Sequence, residues 1–160
     1  PLPEAQQDRF MLHVRVAYPT REEERRLLDP AVEVHAVQPV LDLAALGAVR
    51  SLVREIHVDA KIKNYIVDLV WATREPKEAG LADLDGLIDL GASPRATLAL
   101  DACGRAHAFL RRRPAVFPED VKAIGPDVLR HRIKLSYEAE AENLGVEDVI
   151  QRVFDAVPIP

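Results

Sequence analysis

Cysteine is nearly absent: among 160 residues only Cys103 carries a thiol. That excludes an internal disulfide framework and any cysteine-built zinc centre, and it fits a reducing, cytoplasmic compartment. Aromatic residues are scarce too, at 5%, so a core must be built mostly from Leu, Val, Ile and Ala. Only 7 glycines stand beside 12 prolines, a balance that predicts capped helices with rigid connections rather than Gly-rich hairpins. No run approaches the ~18 consecutive apolar residues of a membrane span. Positive charge is not in excess either. The formal net charge is −5, which gives no general nucleic-acid footprint. The chain opens on Pro1-Leu2-Pro3-Glu4, with neither Met nor a leader pattern, and is expected to be part of a longer one.

What is present is globular: 48% hydrophobic and 29% charged residues, enough for one domain with a real core. Phe10, Leu12, Val14 and Val16 alternate with Met11, His13 and Arg15, which predicts a strand over 10–16. A lone strand cannot satisfy its own backbone, so its partners are expected outside this chain and self-association through it is expected. Thr20 can cap a short polar helix, and residues 30–40 read as a linker with a short extended piece at Val32, Val34 and His35.

From Asp42 the period becomes helical. Leu43, Leu46, Val49, Leu52, Val53 and Ile56 define one helix; Ile62, Tyr65, Ile66, Leu69, Val70 and Thr73 define the next. The short turn at His57-Val58 predicts that the two pack antiparallel. Residues 75–90 read as an acidic connection with one helical turn, and Leu87-Ile88-Asp89 as loop. Ser93-Pro94 is the strongest helix start, followed by Leu98, Ala102, Ala106, Phe109 and Leu110. Pro118 opens a further helix, expected to end at Gly125-Pro126, with another turn from Val128 to Ile133. Val149, Ile150, Val153 and Val157 give an amphipathic close. The expected fold class is all-α: a helical bundle from about residue 42, preceded by one strand.

Chemistry is sparse. There is neither a G-x-x-x-x-G-K-[ST] nor a G-x-G-x-x-G phosphate loop. His13, His35, His57, His107 and His131 never share i, i+4 spacing on one helix, so metal-ligand spacing fails. Ser51 and Ser136 lack a nucleophile elbow and read as surface or cap residues. Cys103 and Trp71 read as packing residues, and Arg74 as a cation suited to a helix C-terminus. Residues 105–134 hold eight Lys/Arg against three Asp/Glu, beside an acidic segment at 135–160 that would neutralise them.

Arg95 is the most informative residue. It stands in a helix first turn, where a cation opposes the macrodipole. Free N–H groups and a guanidinium there build a site for an anion such as phosphate. The alternative is pairing with Asp85 or Asp89. Arg9, just before the expected strand, can project toward a neighbour, or be a solvated charge beside Asp8 or Glu4; composition alone favours the latter.

Three segments then converge: PLPEAQQDRF, GASPRA and PEDVKAIGPDVLRHRI, with VREIHVD, VWATR and the closing VPIP between and after them. In this order and spacing the chain resembles, over nearly its whole length, the C-terminal part of a MoxR-type AAA+ ATPase. The resemblance implies that residues 1–19 end an α/β core, 20–41 connect, and 42–160 form the helical lid. It implies that Arg9 is an arginine finger acting in trans and Arg95 a sensor-two arginine acting in cis. It further implies ATP and Mg²⁺ as cofactors of the full-length protein, with no tight binding by this piece. A self-associated ring, chaperone-like assembly or metallation of clients, and a von Willebrand factor A-type partner follow from the same resemblance. This piece alone is expected to be inactive. Phe117 departs from the usual Ser or Thr cap, which implies a looser helix start. The rival classes are a helical nucleic-acid module using 105–134 and a pure interaction module.

Overall fold

The computed structural model describes residues 2–29 and 37–160. Elements follow the caps closely. α1 (Glu4–Gln7) is a single turn. α2 (Arg21–Arg26) starts at Thr20, whose hydroxyl and backbone are held in a reciprocal capping box with Glu23. Asp42 caps α3 (Leu43–Glu55) by accepting from the Ala45 N–H at 2.7 Å, and Asp59 caps α4 (Ala60–Ala72). A 3₁₀ turn spans Ala82–Leu84. β1 (Ile88–Leu90) leads into α5 (Pro94–Leu110). α6 (Pro118–Leu129), β2 (Lys134–Leu135), α7 (Tyr137–Ala141) and α8 (Val146–Ala156) complete the order. Ser136 caps α7, one of the two roles expected of it.

The core lies among α4, α5, α6 and α8. The α4 stripe expected from spacing is buried in full: Ile62, Tyr65, Ile66, Leu69, Val70 and Thr73. Val149, Ile150, Val153 and Phe154 of α8 close over it, with Val121, Val128 and Leu129 of α6. α5 runs through the middle, packed on α3, α4 and α6. Its buried face is Ala96, Ala99, Leu100, Cys103, Gly104 and Ala108, while Leu98 and Leu110 point to solvent. The apolar residues expected to hold this helix therefore include two that do not. Small side chains here let neighbouring helices approach, which matters more than bulk.

Several expectations need correction. The residues 10–16 form no strand. The segment pairs with no strand among the described residues, and Phe10, Leu12, Val14 and Val16 are all exposed. Its backbone groups are taken by side chains and one carbonyl of the helical body, as described below. The sheet among the described residues is instead β1 with β2, antiparallel, pairing Ile88 with Leu135. The apolar run at 87–89 was thus a strand edge and not loop. The extended piece at Val32, Val34 and His35 lies outside the described residues.

α3 also differs. It buries no residue fully and packs on α5 rather than along α4. The His57 connection is drawn sideways: its N–H donates to the Pro114 carbonyl at 3.0 Å, and its carbonyl accepts from the Val116 N–H at 2.9 Å. Arg105 of α5, braced by Asp101 at 2.9 Å, donates to the Arg54 and Ile56 carbonyls and so finishes the end of α3. Helix α6 does not stop at Gly125-Pro126 but runs through to Leu129. The glycine is there for space: a Cβ at 125 would collide with the Phe154 ring. Trp71 is half exposed, stacked by Arg74 and bonded through its indole N–H to Glu78 at 3.1 Å, so it is not a core residue. Cys103 is buried, and burial pushes its thiol pKa up.

No helix among the described residues is long and apolar enough to cross a membrane.

Candidate functional site around Asp8

The start of α5 is placed by close backbone approach. A Cβ at Gly91 would collide with the Thr73 carbonyl, so only glycine lets this strand end pass the C-terminus of α4. Thr73, fully buried, accepts the Ala92 N–H at 2.9 Å and donates to the Val70 carbonyl at 2.7 Å. Ser93 then caps α5 by accepting the Arg95 N–H at 3.1 Å, and Pro94 fills the first helical position.

The same Ser93 hydroxyl faces a carboxylate from far along the chain. It donates toward Asp8, with Oγ 2.8 and 3.0 Å from the two carboxylate oxygens. Arg95 sits half exposed beside it, Nε 3.8 Å from Asp8 Oδ2. At this helix end Arg95 thus faces an acidic side chain, as the alternative reading of it expected, but the acid is Asp8. Asp85 and Asp89, the expected partners, do not pair with Arg95; Asp85 pairs with Lys77 at 2.6 Å.

Arg132 is the residue that sequence reasoning missed. It is buried, with 2% of its side chain exposed, and uses every donor it has. Nε donates to Asp8 Oδ1 at 3.1 Å; Nη1 donates to the Met11 carbonyl at 3.2 Å and to the Val128 carbonyl; Nη2 donates to the Asp8 carbonyl at 3.1 Å and the Phe10 carbonyl at 2.5 Å. Five N–H groups meet five acceptors, the complete inventory of a guanidinium. Burial lowers the Arg132 pKa and the Asp8 charge opposes that shift. From sequence Arg132 was one cation in a basic patch, and nothing in its local spacing marks it as buried.

Its neighbours act on the same segment. Arg130 donates to the His13 carbonyl and is braced by Asp127 and by Glu147 at 2.9 Å. The His13 N–H donates to the Asp127 carbonyl at 2.8 Å. His131 Nε2 lies 3.0 Å from the Phe10 carbonyl, while its buried Nδ1 has no partner among the described residues. Burial, ahead of any charge, holds the His131 pKa below the ordinary imidazole value. Arg9 itself is exposed, and its guanidinium makes no hydrogen bond or ion pair among the described residues. Of the two sequence-predicted arginines, the structure brings Arg95 to the Asp8 carboxylate, while the Arg9 side chain does not meet it.

The basic patch is largely paired. Arg105, Arg113, Arg130, Arg132 and Lys134 each meet a carboxylate, leaving Arg111, Arg112 and Lys122 without one among the described residues. Only Glu147 of the acidic segment 135–160 takes part. Among the described residues no group of three His, Cys, Asp or Glu is placed to hold a metal ion. Arg95, half exposed at the start of α5, is the cation at this end of the helix.

Residues 83–153 match the AAA lid domain family. The chain is 39% identical to "Chaperone MoxR1" of Mycobacterium tuberculosis, over all of this chain and 43% of that protein. It is 36% identical to "Protein MoxR" of Paracoccus denitrificans, over 99% of this chain and 51% of that protein. A crystal structure of a Cytophaga hutchinsonii protein provisionally named an ATPase superposes with a TM-score of 0.92 at 35% identity, covering 100% of this chain and 49% of that one. The chain spans about half the length of the curated relatives it matches.

Proposed function

The chain is an AAA lid-domain sequence of the MoxR family, and on that premise we propose that it is the C-terminal part of an ATP hydrolase whose helical body senses bound nucleotide. The observation that carries this reading is the start of α5. There Arg95 is half exposed and held only at 3.8 Å by Asp8, loose enough to turn toward a phosphate oxygen. The macrodipole at the start of α5 favours an anion in the same place. When bound, ATP would supply the phosphoryl group to be transferred. This chain's part is to touch the γ-phosphate through Arg95 and to offer Arg9 to the site of an adjoining subunit.

A ring of subunits is the arrangement in which an exposed arginine of one chain completes the site of the next. The coupling of hydrolysis to chaperone-like assembly or metallation of client proteins, with a von Willebrand factor A-type partner and a cytoplasmic location, belongs to the same proposal and rests on family resemblance. Alone, the 160-residue chain is expected to hydrolyse no ATP, because phosphoryl transfer relies on a positioned triphosphate and metal ligands it does not carry. A turnover assay on purified chain, with Arg95→Ala as the paired control, checks this; turnover that disappears with Arg95 overturns it.

The reading of Arg95 is tested in the full-length protein. A charged hydrogen bond to the γ-phosphate is worth about 1.5–3 kcal/mol, so Arg95→Ala should weaken ATP roughly 10–100-fold. ADP lacks that phosphate and should lose little. Calorimetric titration of both nucleotides decides it, and an equal loss for ATP and ADP would remove the assignment.

A further inference from the structure

Arg9 stands in a segment with almost no structure of its own. α1 is a single turn with no buried residue, and 10–16 joins no ladder among the described residues. What holds the segment comes from elsewhere. One nitrogen of Arg132, Nη2, accepts no alternative partner: it donates to the Asp8 carbonyl and the Phe10 carbonyl, the acceptors on either side of Arg9. Nε of the same side chain holds the Asp8 carboxylate, and Ser93 at the start of α5 holds it from the other side. The backbone bracketing Arg9 is therefore fixed by one buried guanidinium and one carboxylate, while the Arg9 side chain is left free to project.

We propose that Arg132 and Asp8 are positioning residues for Arg9: they set the backbone from which Arg9 reaches the phosphoryl group bound by the adjoining subunit. The inference rests on the reading of Arg9 as an arginine finger. The chemistry asks for this. A finger acts only on charge that develops in transit, so its reach must be set before the reaction, and a misplacement of about 1 Å can cost ~10²-fold in rate. A lysine at 132 keeps a positive charge but has no planar fork to bridge two carbonyls and a carboxylate. An asparagine at 8 keeps the shape and one acceptor oxygen but loses the charge that Arg132 and Arg95 share.

The test uses the full-length protein in steady-state ATP turnover with Arg132→Lys, Asp8→Asn and Arg9→Ala. Arg132→Lys and Asp8→Asn should each lose about 10²-fold in kcat with KM for ATP shifted by less than about threefold. Each is then mixed with an Arg95→Ala chain, which is defective at its own nucleotide site and intact in Arg9. Composite sites, with ATP on the Arg132→Lys or Asp8→Asn chain and Arg9 from its neighbour, should regain turnover. Damage to the lid as a whole would spoil the variant's own ATP site as well, and no mixture would then recover; that result overturns the proposal. If Arg132→Lys does not assemble, Asp8→Asn alone decides. Arg9→Ala separates the two layers. If it turns over normally, the finger reading falls. If it is dead and recovers on mixing while Asp8→Asn and Arg132→Lys turn over normally, only the positioning role falls.

Discussion

Replacing Arg9 by Ala in the full-length protein is expected to cut ATP turnover by ~10³–10⁵-fold, the range seen when an arginine is supplied in trans to a transferring phosphoryl group. ATP affinity should change little. The guanidinium has no partner among the described residues and stands exposed, so its removal strands no buried group and should leave the fold intact. Its interaction with substrate is made mainly as charge develops, and a contact made only then lowers kcat and kcat/KM together. The thermal melt of Arg9→Ala should therefore overlay that of the parent, while turnover collapses. A weakened nucleotide affinity of tenfold or more, measured on the same preparation, would place Arg9 in ground-state binding and remove the finger assignment.

The second large effect concerns stability. Asp120 is fully buried, and its carboxylate accepts from three groups at once: the Phe117 N–H at 2.8 Å, Arg113 Nη2 at 2.6 Å and His107 Nδ1 at 2.7 Å. It does the work that a Ser or Thr at position 117 would do, from inside the helix rather than before it. The start of α6 is thus well capped despite Phe117, and not loose. Asp120→Ala removes the cap and leaves Arg113 and His107 facing an apolar gap. Breaking a buried pair by deleting one partner costs about 3–5 kcal/mol. Arg113 and His107 keep some access to water, so the low end, about 3 kcal/mol, is expected. For a chain of this size that is a fall in Tm of roughly 6–12 °C. Asp120→Asn, which retains an acceptor for the Phe117 N–H, should cost less. Urea denaturation of the three proteins checks the order, and a loss under about 1 kcal/mol for Asp120→Ala would show the cluster to be surface decoration.

Much of the helical frame was legible because its signals are local. Asp42, Asp59 and Ser93 cap where their side chains permit, and the α4 stripe is buried as its spacing demands. The readings that failed depended on contacts distant in sequence. Leu98 and Leu110 look like core residues by hydrophobicity, yet the buried side of α5 is mostly small residues because α6 lies close against it. Gly125-Pro126 carries the usual mark of a helix end, but that glycine answers to Phe154, nearly thirty residues later. The alternation at 10–16 is real in the sequence, and no second strand meets it among the described residues. At the candidate site, Arg95 was readable from its place after Ser93-Pro94. Asp8 and Arg132 were not, because their meeting spans most of the chain.

The clamp at 127–134 also has a mechanical meaning. Residues 8–13 are tied to the end of α6 by Arg130, Arg132 and the Asp127 carbonyl, and to the start of α5 by Ser93. Most of these ties are bonds to backbone atoms. A displacement of the helical body would carry residues 8–13 with it as cargo on the same lever. A pivot for such a motion would then lie outside 8–13, and a tilt of the bundle would displace Arg9 with it.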